Sequence, residues 1–145
     1  MSELIKQHLT RISNLGVRIT RQRLAILNAL LECPKPKSAY MLKDKLDEKG
    51  YNLNISTIYR ILEFWIENNV VHKLTSNNTF LVCADKHADH VHVLQHCLDC
   101  GEIKEQCSAS LQFEFPKTNE FLPNKSQVIE LLGECLRCKG RRKYQ

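Results

Sequence analysis

No run of 18 apolar residues occurs in the sequence, so no bilayer-spanning helix and no membrane partner are expected. The segment Met1 to Thr10 carries Glu3, Lys6 and His8 and lacks the apolar centre of a secretory signal, which argues for a cytoplasmic protein. There is no H-E-x-x-H helix, no nucleophile elbow and no phosphate-cradling glycine loop. Catalytic zinc needs an open coordination position beside a general base, and no motif here supplies that pair. These absences argue against an enzyme and against a small organic substrate. Internal repeats and low-complexity stretches are missing too. What is present is an ordinary globular composition, 43% hydrophobic and 26% charged in 145 residues, enough for one domain or two small ones.

The charge is uneven. Residues 1–84 hold 12 Lys and Arg against 7 Asp and Glu, whereas the rest has 9 of each. A basic segment suits a phosphate backbone, because binding releases condensed counterions, although a solvated surface would look the same. Apolar spacing predicts a helix over Ser2–Leu15 ended by Gly16. A second is expected from the cap Thr20 to Glu32, a third from the cap Ser38 to Gly50, and a fourth from about Asn54–Ser56 to Asn68. Two strands, Val70–Thr75 and Thr79–Cys83, flank the turn Ser76-Asn77-Asn78. Three helices and a hairpin make a winged helix-turn-helix, whose last helix enters the DNA major groove. The expected class is therefore α+β, with a winged-helix domain over 1–84, a polar hinge over 85–90 and a second domain over 91–145. In that second domain, strands are expected at Val91–Leu98, Glu102–Cys107 and Ser126–Leu132. A helix is expected from Ser108 to about Glu120, and a disordered basic tail from Lys139.

Seven cysteines in a reducing compartment point to metal or catalysis before disulfides. Cys97-Leu98-Asp99-Cys100-Gly101 and Cys135-Leu136-Arg137-Cys138-Lys139-Gly140 form two C-x-x-C pairs. A two-residue spacer lets one tight turn present both sulfurs to one ion. Four thiolates at Cys97, Cys100, Cys135 and Cys138 leave no open position, so the expected site is structural zinc.

The segment His87-Ala88-Asp89-His90-Val91-His92-Val93-Leu94-Gln95-His96 is rich in histidine. Alternate strand residues share a face, so His90 and His92 point one way while Val91 and Val93 point the other. With Asp89 beside them, Cys83 nearby and His72 on the partner strand of the hairpin, they suggest a second metal site. A single histidine or cysteine would be read as an ordinary surface or core residue.

Several segments together are similar to the ferric uptake regulator family. They are Gly16-Val17-Arg18-Ile19-Thr20-Arg21-Gln22-Arg23, Ile55-Ser56-Thr57-Ile58-Tyr59-Arg60, Cys97-Leu98-Asp99-Cys100-Gly101, and Val128-Ile129-Glu130-Leu131 running into Cys135 and Cys138. Within the family the chain resembles the zinc uptake branch, through Asn78-Thr79-Phe80-Leu81-Val82-Cys83 and Glu105-Gln106-Cys107. That resemblance implies a regulatory zinc site at His72, Cys83, His90 and Glu105. A shorter loop from Cys83 to His90 leaves His92 and His87 open as alternatives. Ser126 stands where many members place a histidine, so a third metal site is not expected.

The resemblance further implies a homodimer joined through its C-terminal α/β domain, with two Zn(II) per subunit. Its partner would be double-stranded DNA carrying an inverted repeat, and its role repression of metal-uptake genes when zinc is bound. Tyr59, Arg60 and Tyr40 are the candidates for base contact, and Arg18, Arg21, Arg23, Thr57 and Lys73 for phosphates. The alternative is an iron-, manganese- or peroxide-sensing member. A thiolate at Cys83 argues for zinc, because iron(II) and manganese(II) prefer oxygen and imidazole.

Overall fold

A computed structural model describes residues 3–32, 34–84, 91–107 and 128–142. The chain divides into two units, Met1–Lys86 and His87–Gln145.

In the first unit, α1 (Glu3–Asn14) buries Ile5, His8 and Ile12. Gly16, at φ +75°, takes the left-handed turn beyond its end. Three further helices each begin at a side-chain cap. The Thr20 hydroxyl accepts from the Arg23 amide at α2 (Arg21–Leu31), and the Ser38 hydroxyl from the Met41 amide at α3 (Ala39–Glu48). At α4 (Ile55–Glu67), the Asn54 carboxamide oxygen accepts from the Thr57 amide at 2.9 Å. Each cap satisfies an amide that the first helical turn cannot. Ile58, Ile61, Leu62 and Trp65 of α4 join Ile26, Leu27 and Leu30 of α2 and Leu42 and Leu46 of α3 in one core. The Trp65 indole N–H donates to the Arg23 carbonyl at 3.0 Å, pinning α4 to the start of α2.

The wing is the antiparallel pair β1 (Val71–Leu74) and β2 (Thr79–Val82), with Val71 opposite Val82 and Leu74 opposite Thr79. Lys37 adds a bridge to Phe80, donating and accepting main-chain bonds of 3.0 and 2.8 Å. Its buried ammonium donates to the Leu30 carbonyl at 3.2 Å, near the end of α2.

In the second unit, β3 (His92–Cys97) is the central strand of three. It runs antiparallel to β4 (Ile103–Cys107) and parallel to β5 (Val128–Gly133). The expected helix at Ser108–Glu120 and the expected hinge at 85–90 lie outside the described residues. One expectation is corrected. Lys139–Arg142 is not a loose tail but the second half of α5 (Leu136–Arg142). The Lys139 amide donates to the Cys135 carbonyl at 3.0 Å, so the second cysteine pair opens this helix.

Candidate metal centres and nucleic-acid interface

The four-cysteine cluster is built from three neighbouring pieces of the second unit. Strand β3 delivers Cys97, the turn after it delivers Cys100, and α5 with the residue before it delivers Cys138 and Cys135. The turn closes through the Gly101 amide donating to the Cys97 carbonyl at 2.9 Å, and Gly101 sits at φ +75°, where a side chain would be strained. The four sulfurs lie within 4.8 Å of one another. The Cys100 and Cys135 sulfurs are 3.8 Å apart, which matches the edge of about 3.8 Å of a tetrahedron with Zn–S bonds of about 2.3 Å. The donor set therefore fits a tetrahedral zinc ion.

Hydrogen bonding sets these thiols apart from one another. Main-chain amides of Cys100 and then Cys135 point at the Cys97 sulfur and lower its pKa to about 6. The Cys138 amide is the first cause that lowers Cys135. Cys138 is pushed up instead, first by its hydrogen bond with the Cys135 sulfur and then by burial. Across the cluster, Arg137 donates to Glu102 at 2.6 Å. The Arg137 hydrogen bond is the leading cause that holds the Glu102 carboxyl below its ordinary range, and Glu102 raises Arg137 in return.

Two further ligand pairs stand one on each unit. In the first, His72 of β1 and Cys83 just beyond β2 are both buried, and their donor atoms lie within 4.8 Å of one another. The hairpin register explains this. His72 pairs with Leu81, and Cys83 stands two residues past Leu81, so His72 and Cys83 are diagonal neighbours on one face of the hairpin near its open end. The Cys83 amide donates to the Val70 carbonyl at 2.8 Å and fixes the cysteine there. In the second unit, the His92 Nδ1 is 2.8 Å from a Glu105 carboxylate oxygen, with side chains only 1% and 5% exposed. A soft thiolate with imidazole, and imidazole with carboxylate, are both donor pairs that zinc accepts. His90 and His87 lie outside the described residues.

On α4, Arg60 is exposed and Thr57 and Tyr59 are half-buried. The Tyr59 ring meets Phe80 of the wing edge-on at 6.4 Å. Tyr40, at the start of α3, is 65% exposed, and Arg18, Arg21 and Lys73 are exposed. Arg23 is half-buried and engaged within its own unit. Its guanidinium stacks on the Phe64 ring at 3.7 Å and donates to the Arg18 carbonyl. Sequence reasoning missed His8 and Arg11. His8 is buried on α1 with its Nε2 3.1 Å from the Cys83 carbonyl oxygen. The available signal was its position between Ile5 and Ile12 on the core-facing stripe, where a polar ring needs a partner.

A winged helix with an exposed arginine on its last helix, joined to a unit carrying thiol and imidazole donors, defines a metal-responsive DNA-binding regulator. The sequence profile described as the Ferric uptake regulator family matches residues 14–125. The chain is 30% identical over 139 residues to the Zinc uptake regulation protein of Escherichia coli strain K12, covering 94% of this chain and 81% of that protein. It is 30% identical over 134 residues to the Zinc uptake regulation protein of Mycobacterium tuberculosis strain H37Rv, covering 89% of this chain and 100% of that one. A solved structure of a zinc uptake regulator complexed with zinc and DNA superposes with a TM-score of 0.75 at 26% identity, over 99% of each chain. This chain belongs to the ferric uptake regulator family, whose members are transcription regulators and not enzymes. The family fold is an N-terminal DNA-binding domain followed by a C-terminal dimerisation domain. Among the described residues, no helix is long and apolar enough to cross a membrane.

Proposed function

We propose that this protein is a zinc-responsive repressor of metal-uptake genes, acting as a homodimer on an inverted-repeat operator in the cytoplasm. The observation that carries the reading is the buried cysteine paired with a histidine on the wing. A sensor built for iron or manganese has little use for a thiolate, which zinc prefers. Two zinc ions per subunit are proposed. Cys97, Cys100, Cys135 and Cys138 would hold the structural ion. His72, Cys83 and Glu105, with either His92 or His90, would hold the regulatory one, and the short His92–Glu105 contact favours His92.

Zinc in the regulatory site would supply one divalent charge to donors drawn from both units. Residues 85–90 are proposed as the hinge. Ligand binding can weight only those arrangements that bind it more tightly, here the ones in which all four donors converge. Those arrangements set the two α4 helices of the dimer at successive major grooves. Tyr59, Arg60 and Tyr40 then read base edges, while Thr57, Arg18, Arg21 and Lys73 approach phosphates.

Metal analysis of the purified protein tests this directly. Wild type is expected to carry two zinc ions per subunit and Cys83→Ser one. If Cys83→Ser keeps both, or if iron or manganese occupies the second site, the zinc-sensing reading fails and an iron-, manganese- or peroxide-sensing regulator takes its place.

A further inference from the structure

A set of buried and half-buried contacts runs from the wing cysteine to the end of α4. His8, on α1, is 2% exposed. Its Nε2 lies 3.1 Å from the Cys83 carbonyl oxygen and its Nδ1 3.3 Å from an Arg11 guanidinium nitrogen. A guanidinium only donates, so Nδ1 accepts and the ring proton sits on Nε2. Nε2–H therefore donates to the Cys83 carbonyl. The same Arg11 nitrogen donates to the Asn68 carbonyl at 2.9 Å and the Asn69 carbonyl at 3.4 Å. These carbonyls belong to the C-terminal cap of α4, where a helix leaves acceptors unsatisfied and favours a cation. A second route uses main chain alone. The Cys83 amide donates to Val70 at 2.8 Å, and the Val70 amide to Trp65 of α4 at 2.9 Å. The cysteine is thus tied to the end of α4 twice, once through the backbone and once through α1.

We propose that His8 and Arg11 are positioning residues that couple occupancy at Cys83 to the setting of α4. Neither binds the metal or the DNA. The proposal rests on the reading of Cys83 as a regulatory ligand. Arg11 fixes the tautomer of His8, and His8 fixes the carbonyl of the ligand residue. A displacement of the Cys83 main chain is therefore passed to the α4 cap by hydrogen bonds as well as by packing.

The test uses the full chain and a duplex selected from a random-sequence library by the zinc-loaded wild type. DNA affinity is measured with and without zinc for wild type, His8→Leu, His8→Gln and Arg11→Met, and zinc affinity is measured against a competing chelator. His8→Leu and Arg11→Met are expected to keep the four-cysteine zinc. Their ratio of DNA affinities with and without regulatory zinc should fall at least about fivefold, the lower end of ordinary allosteric coupling. His8→Gln, whose amide restores a donor to the Cys83 carbonyl, should recover most of the ratio. A purely structural role would lower the thermal midpoint and leave the ratio within about twofold of wild type, which overturns the proposal. If His8→Leu does not fold, Arg11→Met decides by the same ratio. A wild type whose own ratio is near one overturns the sensing reading itself, and the relay with it.

Discussion

Arg60 and Lys73 occupy similar ground by charge and different ground by structure. Both are exposed, but Arg60 stands on α4 and Lys73 on the wing strand β1. A groove-facing arginine can bond two acceptors of one guanine, whereas a wing lysine meets a phosphate as a point charge. Arg60→Ala is expected to cost about 1–3 kcal/mol on the preferred operator and to relax its preference at one base pair. Lys73→Ala should weaken binding evenly across sequences and reduce the salt slope by about one. Titrations of a matched and a mismatched duplex at several salt concentrations separate the two. Equal losses for both variants on both duplexes would contradict the division of labour.

The residues that carry metal chemistry were legible because their types are few and their spacing is tight. The two C-x-x-C pairs announce a closed site without any fold. His72 and Cys83 were legible only through a hairpin register and a family resemblance, and the structure brings their donor atoms together. His92 was harder. Alternation predicts one polar and one apolar face, yet His92, Val93 and Leu94 in succession are all buried. Both faces of β3 are covered at its start, so alternation could not say that His92 would meet Glu105. The stripe of α1 signalled that His8 is buried but not what it meets. Its partner is a main-chain carbonyl 75 residues away, and no side-chain pattern records that.

At the scale of the elements, caps decide where helices begin. Asn54 caps α4 by accepting from Thr57 and also receives the Ser56 hydroxyl at 2.8 Å. Asn54→Ala removes that acceptor and should destabilise the first unit by about 1 kcal/mol, read by urea unfolding. Because the frayed turn holds Thr57, DNA affinity should drop with stability. An unchanged unfolding midpoint would mean the cap is satisfied by water. Thr20 and Ser38 were readable as caps before apolar stripes, whereas the start of α4 was placed only within Asn54–Ser56. The parallel pairing of β3 with β5 was not readable, because His92 meets Val128 across a long stretch of intervening chain. Helix α5 escaped for another reason. Its second half, Lys139 to Arg142, is basic, contains Gly140 and resembles a tail. The Cys135 carbonyl and the knuckle of Cys97 anchor its first turn.

For the whole molecule, the two proposed metal sites imply two responses to chelation. The four-cysteine cluster is proposed as a folding element, because a structural zinc contributes on the order of 10 kcal/mol of apparent folding energy. A mild chelator is expected to strip only the regulatory ion, leaving the circular dichroism of both units intact. A strong chelator at elevated temperature should remove the second ion and collapse the β3–β4–β5 sheet. Loss of both ions in one step, with no folded intermediate, would contradict the division into structural and regulatory sites. The charge distribution acts at this scale as well. With 12 cations against 7 anions in residues 1–84, the DNA-binding half should be drawn to any duplex at low salt. Specific binding must therefore be measured near physiological ionic strength.

Zinc at the proposed site of His72, Cys83, His92 or His90, and Glu105 is expected to switch on operator binding. The most direct test titrates zinc into protein already holding its four-cysteine ion while following anisotropy of a labelled inverted-repeat duplex. DNA affinity is expected to stay low until the second zinc equivalent per subunit and to rise steeply as that equivalent fills. DNA affinity that is already high with one ion, or that ignores the second, would contradict it.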